Sequence, residues 1–241
     1  MFERGIAIVT LTKWGVATSR RIAQSLEKAE IKHTIYTSES LRSDDATSFN
    51  ENLSELFVKL FNAFDAIIAV MAMGIVVRSI APLIANKTTD PAVVVVDDLG
   101  KYSISLLSGH FRGANRLAKI VAEEIGAIPV VTTATELLGK KSVEEIAEEH
   151  NLKIVNMESL TAVNSAIVNE RRILFATIGT ACPEIGVGSP NSNLVSCIDQ
   201  LQEIMQNYDA GIVIAQHVLS LGVLTKSVTL LIPKTGKSEV E

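Results

Sequence analysis

Several side chains capable of chemistry lie in one short stretch of the sequence. Residues 107–115 place a serine, a histidine, an arginine and an asparagine around two glycines. Because an imidazole changes its charge near neutral pH, His110 is a candidate general base or acid. Arg112 and Asn115 are candidates for binding an anionic or amide group. The alternative is that Ser108 caps a helix and His110 is an exposed loop residue. Ser108 is a less attractive nucleophile, since no Gly-x-Ser-x-Gly motif surrounds it.

A second candidate begins at Gly74, where a predicted strand gives way to a predicted helix. Glycine at such a turn lets backbone N–H groups face outward at the positive end of the helix. Arg78 adds a rigid fork suited to a carboxylate or phosphate. A tight turn with a solvated arginine is the alternative, and the sequence leaves both open.

The third candidate is the run of hydroxyl side chains after the predicted strand at residues 128–132. Thr132, Thr133 and Thr135 stand at the end of that strand, where open α/β sheets bind ligands. A helix cap at Thr133 or Thr135 explains them equally well. Asp97 follows another predicted strand and is a further candidate for substrate binding, although Asp-Asp-Leu-Gly is also an ordinary turn.

The sequence gives little support for a metal site or a nucleotide-binding loop. The histidines and cysteines lack the spacing of a metal site, and the two cysteines are expected to be free thiols; these residues are His33, His110, His150, His217, Cys182 and Cys197. The glycines of residues 179–188 fit neither a phosphate-binding loop nor a dinucleotide fingerprint. No metal or other cofactor is therefore expected to reside in the protein.

Composition narrows the possible partners. The 241 residues are 47% hydrophobic but only 5% aromatic, with a net charge of −5. Without a basic block or many aromatic rings to stack on bases, the chain is not expected to bind nucleic acid. The longest apolar run, residues 66–77, is too short to span a bilayer, and the start of the chain lacks the pattern of an export signal. We expect a soluble, cytoplasmic protein.

Hydrophobic patterning predicts the fold class. Strands are predicted at residues 6–10, 33–36, 65–71, 91–97, 102–107 and 128–132, with helices at 18–30, 53–64, 74–80 and 113–125. Alternating strands and helices predict a three-layer α/β domain with a mostly parallel sheet. Residues 102–107 are predicted to form a hairpin with the preceding strand, which makes the sheet mixed.

The charge pattern changes after residue 139, from near balance to an acidic excess. We therefore predict an N-terminal α/β domain at residues 1–139 and a smaller α/β domain at residues 140–241. Its strands are predicted near 153–155, 173–178, 211–215 and 228–232, after an acidic helix at 142–150.

Four blocks of the sequence resemble the signature of a known family. They are residues 74–83, 90–100, 105–115 and 129–135, which read GIVVRSIAPL, DPAVVVVDDLG, SLLSGHFRGAN and PVVTTAT. In this order they resemble the CbiG family, the cobalt-precorrin-5A hydrolases of anaerobic cobalamin (vitamin B12) biosynthesis. Residues 140–233 resemble the less distinctive middle region of the family. Many members carry a further C-terminal domain, which we expect this chain to lack.

The resemblance implies hydrolytic opening of the ring-A δ-lactone of cobalt-precorrin-5A, giving cobalt-precorrin-5B and acetaldehyde. The cobalt belongs to the corrinoid substrate. A noncatalytic, corrinoid-binding or accessory role is the alternative. A separate polypeptide with the C-terminal domain, neighbouring pathway enzymes and a second copy of the chain are the other partners left open.

Lactone hydrolysis suggests roles for the candidate residues, which we assign as hypotheses. His110 would be the base, with Ser108 or N–H groups of the loop at Gly109 stabilising the oxyanion. Arg78, Arg112 and Asn115 would bind carboxylates of the corrinoid. The remaining candidates would line the same cleft; they are Gly74, Asp97, Thr132, Thr133 and Thr135.

Overall fold

The computed structural model describes residues 2–86, 88–178, 192–195, 198–216 and 227–234. The chain forms two compact units, Met1–Thr132 and Thr133–Glu241, so the units divide somewhat before the predicted boundary at residue 139. The predictions for the loop at 179–188, for both cysteines and for His217 lie outside the described residues.

The first unit is a three-layer α/β structure. Its strands are β1 (Ile6–Thr10), β2 (His33–Ser38), β3 (Thr47–Phe49), β4 (Ala66–Val70), β5 (Ala92–Val96), β6 (Tyr102–Leu107) and β7 (Ile128–Val130). Its helices are α1 (Lys13–Lys28), α2 (Leu53–Ala63), α3 (Met73–Ile80) and α4 (Ala114–Ile125). The strand order is β3-β2-β1-β4-β5-β6-β7, and every pair is parallel except β5 with β6. The predicted fold class is confirmed.

Two hydrophobic cores sandwich this sheet. Ile22 and Leu26 of α1 and Leu117 of α4 pack on one face, and Phe57 of α2 and Ile80 of α3 pack on the other. Strands β1, β4 and β5 are buried along their whole length, which explains why they are continuous apolar runs rather than alternating ones.

Helix α1 begins earlier than predicted. Thr12, not Thr18 or Ser19, is the N-cap, and its hydroxyl accepts a hydrogen bond from Gly15 N at 2.9 Å. Thr18 lies inside the helix and donates to the backbone oxygen of Asp98 at 2.8 Å. The predicted start was therefore wrong. The short edge strand β3 was also missed, because it lies in a polar segment that reads as a loop.

The second unit has its own sheet of order β10-β9-β11-β12-β8, parallel except where β8 meets β12. The strands are β8 (Leu152–Ile154), β9 (Ile173–Ile178), β10 (Ser192–Val195), β11 (Ala210–Ala215) and β12 (Val228–Pro233). The helices are α5 (Ala134–Leu137), α6 (Val143–Glu149), α7 (Leu160–Val168) and α8 (Ile198–Met205). Reciprocal hydrogen bonds between Ser142 and Glu145 cap the predicted acidic helix α6. No helix in the described ranges has the length and apolar character needed to cross a membrane.

Gly15 is required by close packing at the start of α1. A Cβ at this position would overlap the Thr10 hydroxyl oxygen and lie 2.8 Å from Asp98 Oδ1. Thr10 is fully buried and β-branched, so it cannot move aside easily. A Cβ at Gly74, in contrast, would meet nothing within 4 Å.

We therefore expect Gly15→Ala to lower the free energy of unfolding by about 1–3 kcal/mol through overpacking. The matched variant Gly74→Ala should be neutral or up to about 1 kcal/mol more stable, because alanine favours the helix. Urea denaturation of both variants measures the difference. Equal stability of the two would contradict the packing described around Gly15.

Candidate functional site

The turn between β5 and β6 decides where the candidate residues lie. In this antiparallel pair, Val96 lies opposite Ser103 and Val93 lies opposite Leu107. Strand β6 therefore ends where β1 to β5 begin, which we call the amino edge of the sheet. The opposite edge, where β1 to β5 end, is the carboxyl edge. Because β7 is parallel to β6, it also runs toward the amino edge.

Asp97 holds this turn. Its Oδ1 accepts a hydrogen bond from Leu99 N at 3.0 Å, and its Oδ2 accepts from Lys101 N at 2.8 Å and Tyr102 N at 2.7 Å. Both oxygens of this candidate for substrate binding thus hold backbone amides of the hairpin. This geometry is that of an ordinary turn, the alternative given for Asp97 in the sequence analysis.

The structure distributes the predicted site residues over different places. The residues at or running toward the amino edge are Ser108, Gly109, His110, Arg112, Asn115 and Thr132, whereas Gly74 and Asp97 follow strands at the carboxyl edge and Arg78 lies in the last turn of α3. Thr133 and the buried Thr135 belong to the second unit. A five-residue strand separates the two edges by about 17 Å. The structure therefore does not bring Gly74 and Asp97 together with the residues at the amino edge, because the hairpin reverses the chain between them.

The segment of residues 108–113, here called the His110 loop, folds back on the start of α4. The carbonyl oxygens of Ser108 and Gly109 accept hydrogen bonds from Ala114 N at 3.3 Å and Asn115 N at 3.1 Å. Ser108 has a left-handed φ of 59°, which is unfavourable for a residue with a side chain. The loop is thus held in a specific conformation by the first amides of α4.

The buried side chain of Asn115 packs against the His110 loop. It is 3% exposed, and its Oδ1 accepts a hydrogen bond from the Ser105 hydroxyl at 2.7 Å. Gly109 packs so closely on it that a Cβ would lie 2.6 Å from the same oxygen. Because Asn115 is buried against Gly109, it is better placed to fix the shape of the loop than to bind a carboxylate of a ligand.

Some polar groups of the loop already make hydrogen bonds within the protein, whereas others have no acceptor. Ser108, His110 and Arg112 are partly exposed. The Ser108 hydroxyl donates to the backbone oxygen of Asp90 at 3.2 Å. In the part of the chain that the structure describes, the N–H groups of Gly109 and Phe111 have no acceptor. The loop can therefore offer backbone donors to a developing oxyanion.

Asp65, at the start of β4, binds two arginines. Its Oδ2 accepts from Arg4 N at 2.8 Å, and its Oδ1 accepts from Arg4 Nε at 2.8 Å and Arg112 Nη2 at 3.1 Å. Burial raises the pKa of Asp65, but the hydrogen bonds of Arg4 and the charges of Arg4 and Arg112 outweigh burial, so the pKa lies below its ordinary value. Asp65 is therefore ionised at neutral pH.

Sequence reasoning missed Asp65 and Arg4. The signal was present, since Asp65 stands directly before β4 and Arg4 stands two positions before β1. A charge in that position either faces solvent or pairs with a second one, and only the fold shows which. Among the described residues, no group of histidine, cysteine or acidic side chains is arranged to hold a metal ion.

We expect Asp65→Asn to lower the free energy of unfolding by about 2 kcal/mol at pH 7, since it leaves two arginines without their carboxylate. Because the folded pKa is depressed, this stabilisation is fully present above the ordinary pKa of 3.8 and is lost as the pH falls through the lower, folded value. The difference between wild type and variant should thus shrink below about pH 4. Urea denaturation from pH 7 to pH 3 measures it.

Asp45→Asn is the matched control. Its partner Arg20 and Asp45 itself are both about half exposed, so solvent screens the pair and the loss should stay below about 1 kcal/mol. If Asp65→Asn lost no more unfolding free energy than Asp45→Asn, or if its loss did not depend on pH, the ion pairs of Asp65 with Arg4 and Arg112 would not stabilise the fold as described.

Comparison with known proteins identifies the region that carries the His110 loop. The family model described as "Cobalamin synthesis G N-terminal" matches residues 55–136. A Salmonella typhimurium protein named cobalt-precorrin-5A hydrolase is 37% identical over 169 residues, which are 70% of this chain and 47% of that protein. A Priestia megaterium protein of the same name is 35% identical over 176 residues, or 71% of this chain and 46% of that one. The chain thus spans about half the length of these relatives.

The crystal structure of a cobalamin biosynthesis protein G homologue from Sulfolobus solfataricus has a similar fold. It matches with a TM-score of 0.53 at 24% identity, covering 95% of this chain and 60% of that one. With the family match over residues 55–136 and the identity to both curated relatives, the chain belongs to the CbiG family of cobalamin biosynthesis proteins.

Proposed function

We propose that the chain carries the hydrolytic centre of a cobalt-precorrin-5A hydrolase. The reaction opens the ring-A δ-lactone of the substrate and yields cobalt-precorrin-5B and acetaldehyde. The observation that carries the proposal is the identity to two hydrolases of that name over about 70% of the chain, combined with a family match that contains the whole His110 loop. A cytoplasmic location is part of the same proposal.

The His110 loop supplies the groups that lactone hydrolysis needs. His110 takes a proton from a water molecule, whose oxygen then attacks the lactone carbonyl carbon. Negative charge develops on the carbonyl oxygen, and the N–H groups of Gly109 and Phe111 are available to donate to it. The backbone suits this role better than the Ser108 hydroxyl, which already donates to Asp90 O. When the tetrahedral intermediate collapses, the ring C–O bond breaks and the protonated His110 returns the proton to the departing alkoxide oxygen.

Substrate recognition in this proposal is assigned to the amino edge. Arg112 lies in the loop itself and binds a carboxylate of the corrinoid. Gly74 and Asp97 lie about 17 Å away at the other end of the strands, so they do not share this contact. The protein contributes a base, donors and a cation, and the cobalt arrives with the substrate.

The test is acetaldehyde release from cobalt-precorrin-5A. Because the chain spans about half the length of its relatives, the assay uses the chain alone and the chain mixed with the remaining region of the Salmonella protein. Acetaldehyde in either mixture supports the proposal. Binding of the corrinoid without acetaldehyde in both would favour a noncatalytic corrinoid-binding role instead.

We expect His110→Gln to reduce the rate of acetaldehyde release by about 10²–10⁴-fold, which is the usual contribution of a general base. Glutamine keeps a hydrogen-bonding side chain of similar size but cannot accept the proton from water. The control His150→Gln changes a histidine at the end of α6 in the second unit and should leave the rate unchanged. A His110→Gln rate within threefold of wild type would remove His110 as the base.

A further inference from the structure

Asp65 joins three segments that are distant in the sequence. Its carboxylate binds Arg4 before β1 and Arg112 in the His110 loop, while its own N–H donates to Gly5 O at 3.2 Å. Its carbonyl oxygen accepts from Ala92 N at 3.0 Å. The side chain is only 12% exposed. The backbone of Asp65 is thus fixed to both neighbouring strands, and its carboxylate has little freedom to move.

The two arginines on this carboxylate are used differently. Each guanidinium nitrogen of Arg4 donates one hydrogen bond: Nε to Asp65 Oδ1, Nη1 to Asn62 O at 2.9 Å and Nη2 to Phe64 O at 3.0 Å. Arg112 donates only from Nη2, to Asp65 Oδ1. Within the described ranges, its Nε and Nη1 have no acceptor. Its side chain is 25% exposed, so solvent reaches it.

The charges in this cluster do not balance. One carboxylate faces two guanidinium groups, and the structural contacts of Arg4 already occupy both oxygens of Asp65. A purely structural ion pair would need only Arg4. Arg112 therefore retains positive charge and unused donors beside the partly exposed His110. An arginine fork with free donors is suited to an incoming carboxylate.

We infer that Asp65 is a positioning residue, which holds Arg112 by one nitrogen so that the rest of its guanidinium recognises a carboxylate of the substrate. This inference rests on the proposed function for its substrate, a corrinoid with free carboxylate side chains. Asp65 itself does not touch the substrate. It fixes the direction of the arginine, which lowers the entropy that Arg112 loses on binding.

The inference is tested by affinity for cobyrinic acid, a corrinoid with free carboxylates, measured by isothermal titration calorimetry. The variants are Asp65→Asn, Arg112→Gln, the double variant and Arg4→Gln. We expect Arg112→Gln to weaken binding about 10–100-fold, the size of a lost charge-assisted hydrogen bond, and Asp65→Asn to weaken it about 5–10-fold. If Asp65 acts through Arg112, the double variant should bind no more weakly than Arg112→Gln alone.

Arg4→Gln separates positioning from stability. It removes the structural arginine but keeps the contact between Asp65 and Arg112, so the melting temperature should fall while the affinity stays within twofold of wild type. The same corrinoid with amidated side chains should bind wild type and Asp65→Asn equally, because it has no carboxylate for Arg112.

Three results would overturn the inference: additive losses in the double variant, a loss in Arg4→Gln as large as in Asp65→Asn, or the same loss with the amidated corrinoid. For an active enzyme, Asp65→Asn should raise KM for cobalt-precorrin-5A about 5–10-fold and change kcat less than threefold, as expected for a recognition contact. The binding measurement is independent of turnover. A chain that binds cobyrinic acid through Arg112 but releases no acetaldehyde would therefore refute the proposed activity and leave the inference standing.

Discussion

The reversal of the chain between β5 and β6 is the constraint on which the rest of the site depends. Strands β1 to β5 all run in the same direction. A helical connection after β5 would have kept β6 parallel to them. Asp97 instead holds three backbone amides of a tight turn, so β6 runs back along β5. This carries the His110 loop to the amino edge, next to residues that precede β1 and β4.

At the amino edge, the free-energy cost of burying the Asp65 carboxylate explains why Arg112 of the loop contacts it. The starts of β1 and β4 are buried, and a carboxylate there costs free energy unless it is paired and hydrogen-bonded. Asp65 meets this requirement with Arg4, whose three guanidinium nitrogens donate to Asp65 and to two carbonyl oxygens. The loop arginine then joins an existing ion pair. A structural cluster thereby fixes one end of a loop whose other end is fixed by α4.

The sequence predicts the local features of this arrangement and misses the long-range ones. The hairpin at residues 97–102 is predictable, because turn residues separate two β-rich runs, and the amphipathic stripe of α2 is equally clear. The start of α1 is not predictable from Gly15, since a glycine disfavours a helix until the close approach of Thr10 and Asp98 is known.

The site was predictable in its composition but not in its geometry. The residue types at 107–115 singled out the His110 loop, which lies within the region that the family model matches, and its role as the site stays a prediction. That Gly74 and Arg112 lie at opposite edges follows from one antiparallel pairing, whose consequence for distance appears only when the sheet is assembled. The contact between Asp65 and Arg112 links residues 47 positions apart, a separation at which no sequence periodicity operates.

Open α/β sheets usually bind ligands at the carboxyl edge, where the chain leaves adjacent strands toward opposite faces. In the first unit this point lies between β1, whose helix α1 packs on one face, and β4, whose helix α3 packs on the other. There, however, Asp98 Oδ1 accepts a hydrogen bond from Thr12 at 2.6 Å, at the N-terminus of α1. A carboxylate thus already occupies this position, which attracts anions, and it repels any further carboxylate. The amino edge also carries carboxylates, at Asp65 and Asp90, but there Arg112 donates from only one guanidinium nitrogen to an acceptor among the described residues. The Asp98 carboxylate therefore disfavours an anionic ligand at the edge that the general rule for α/β sheets predicts.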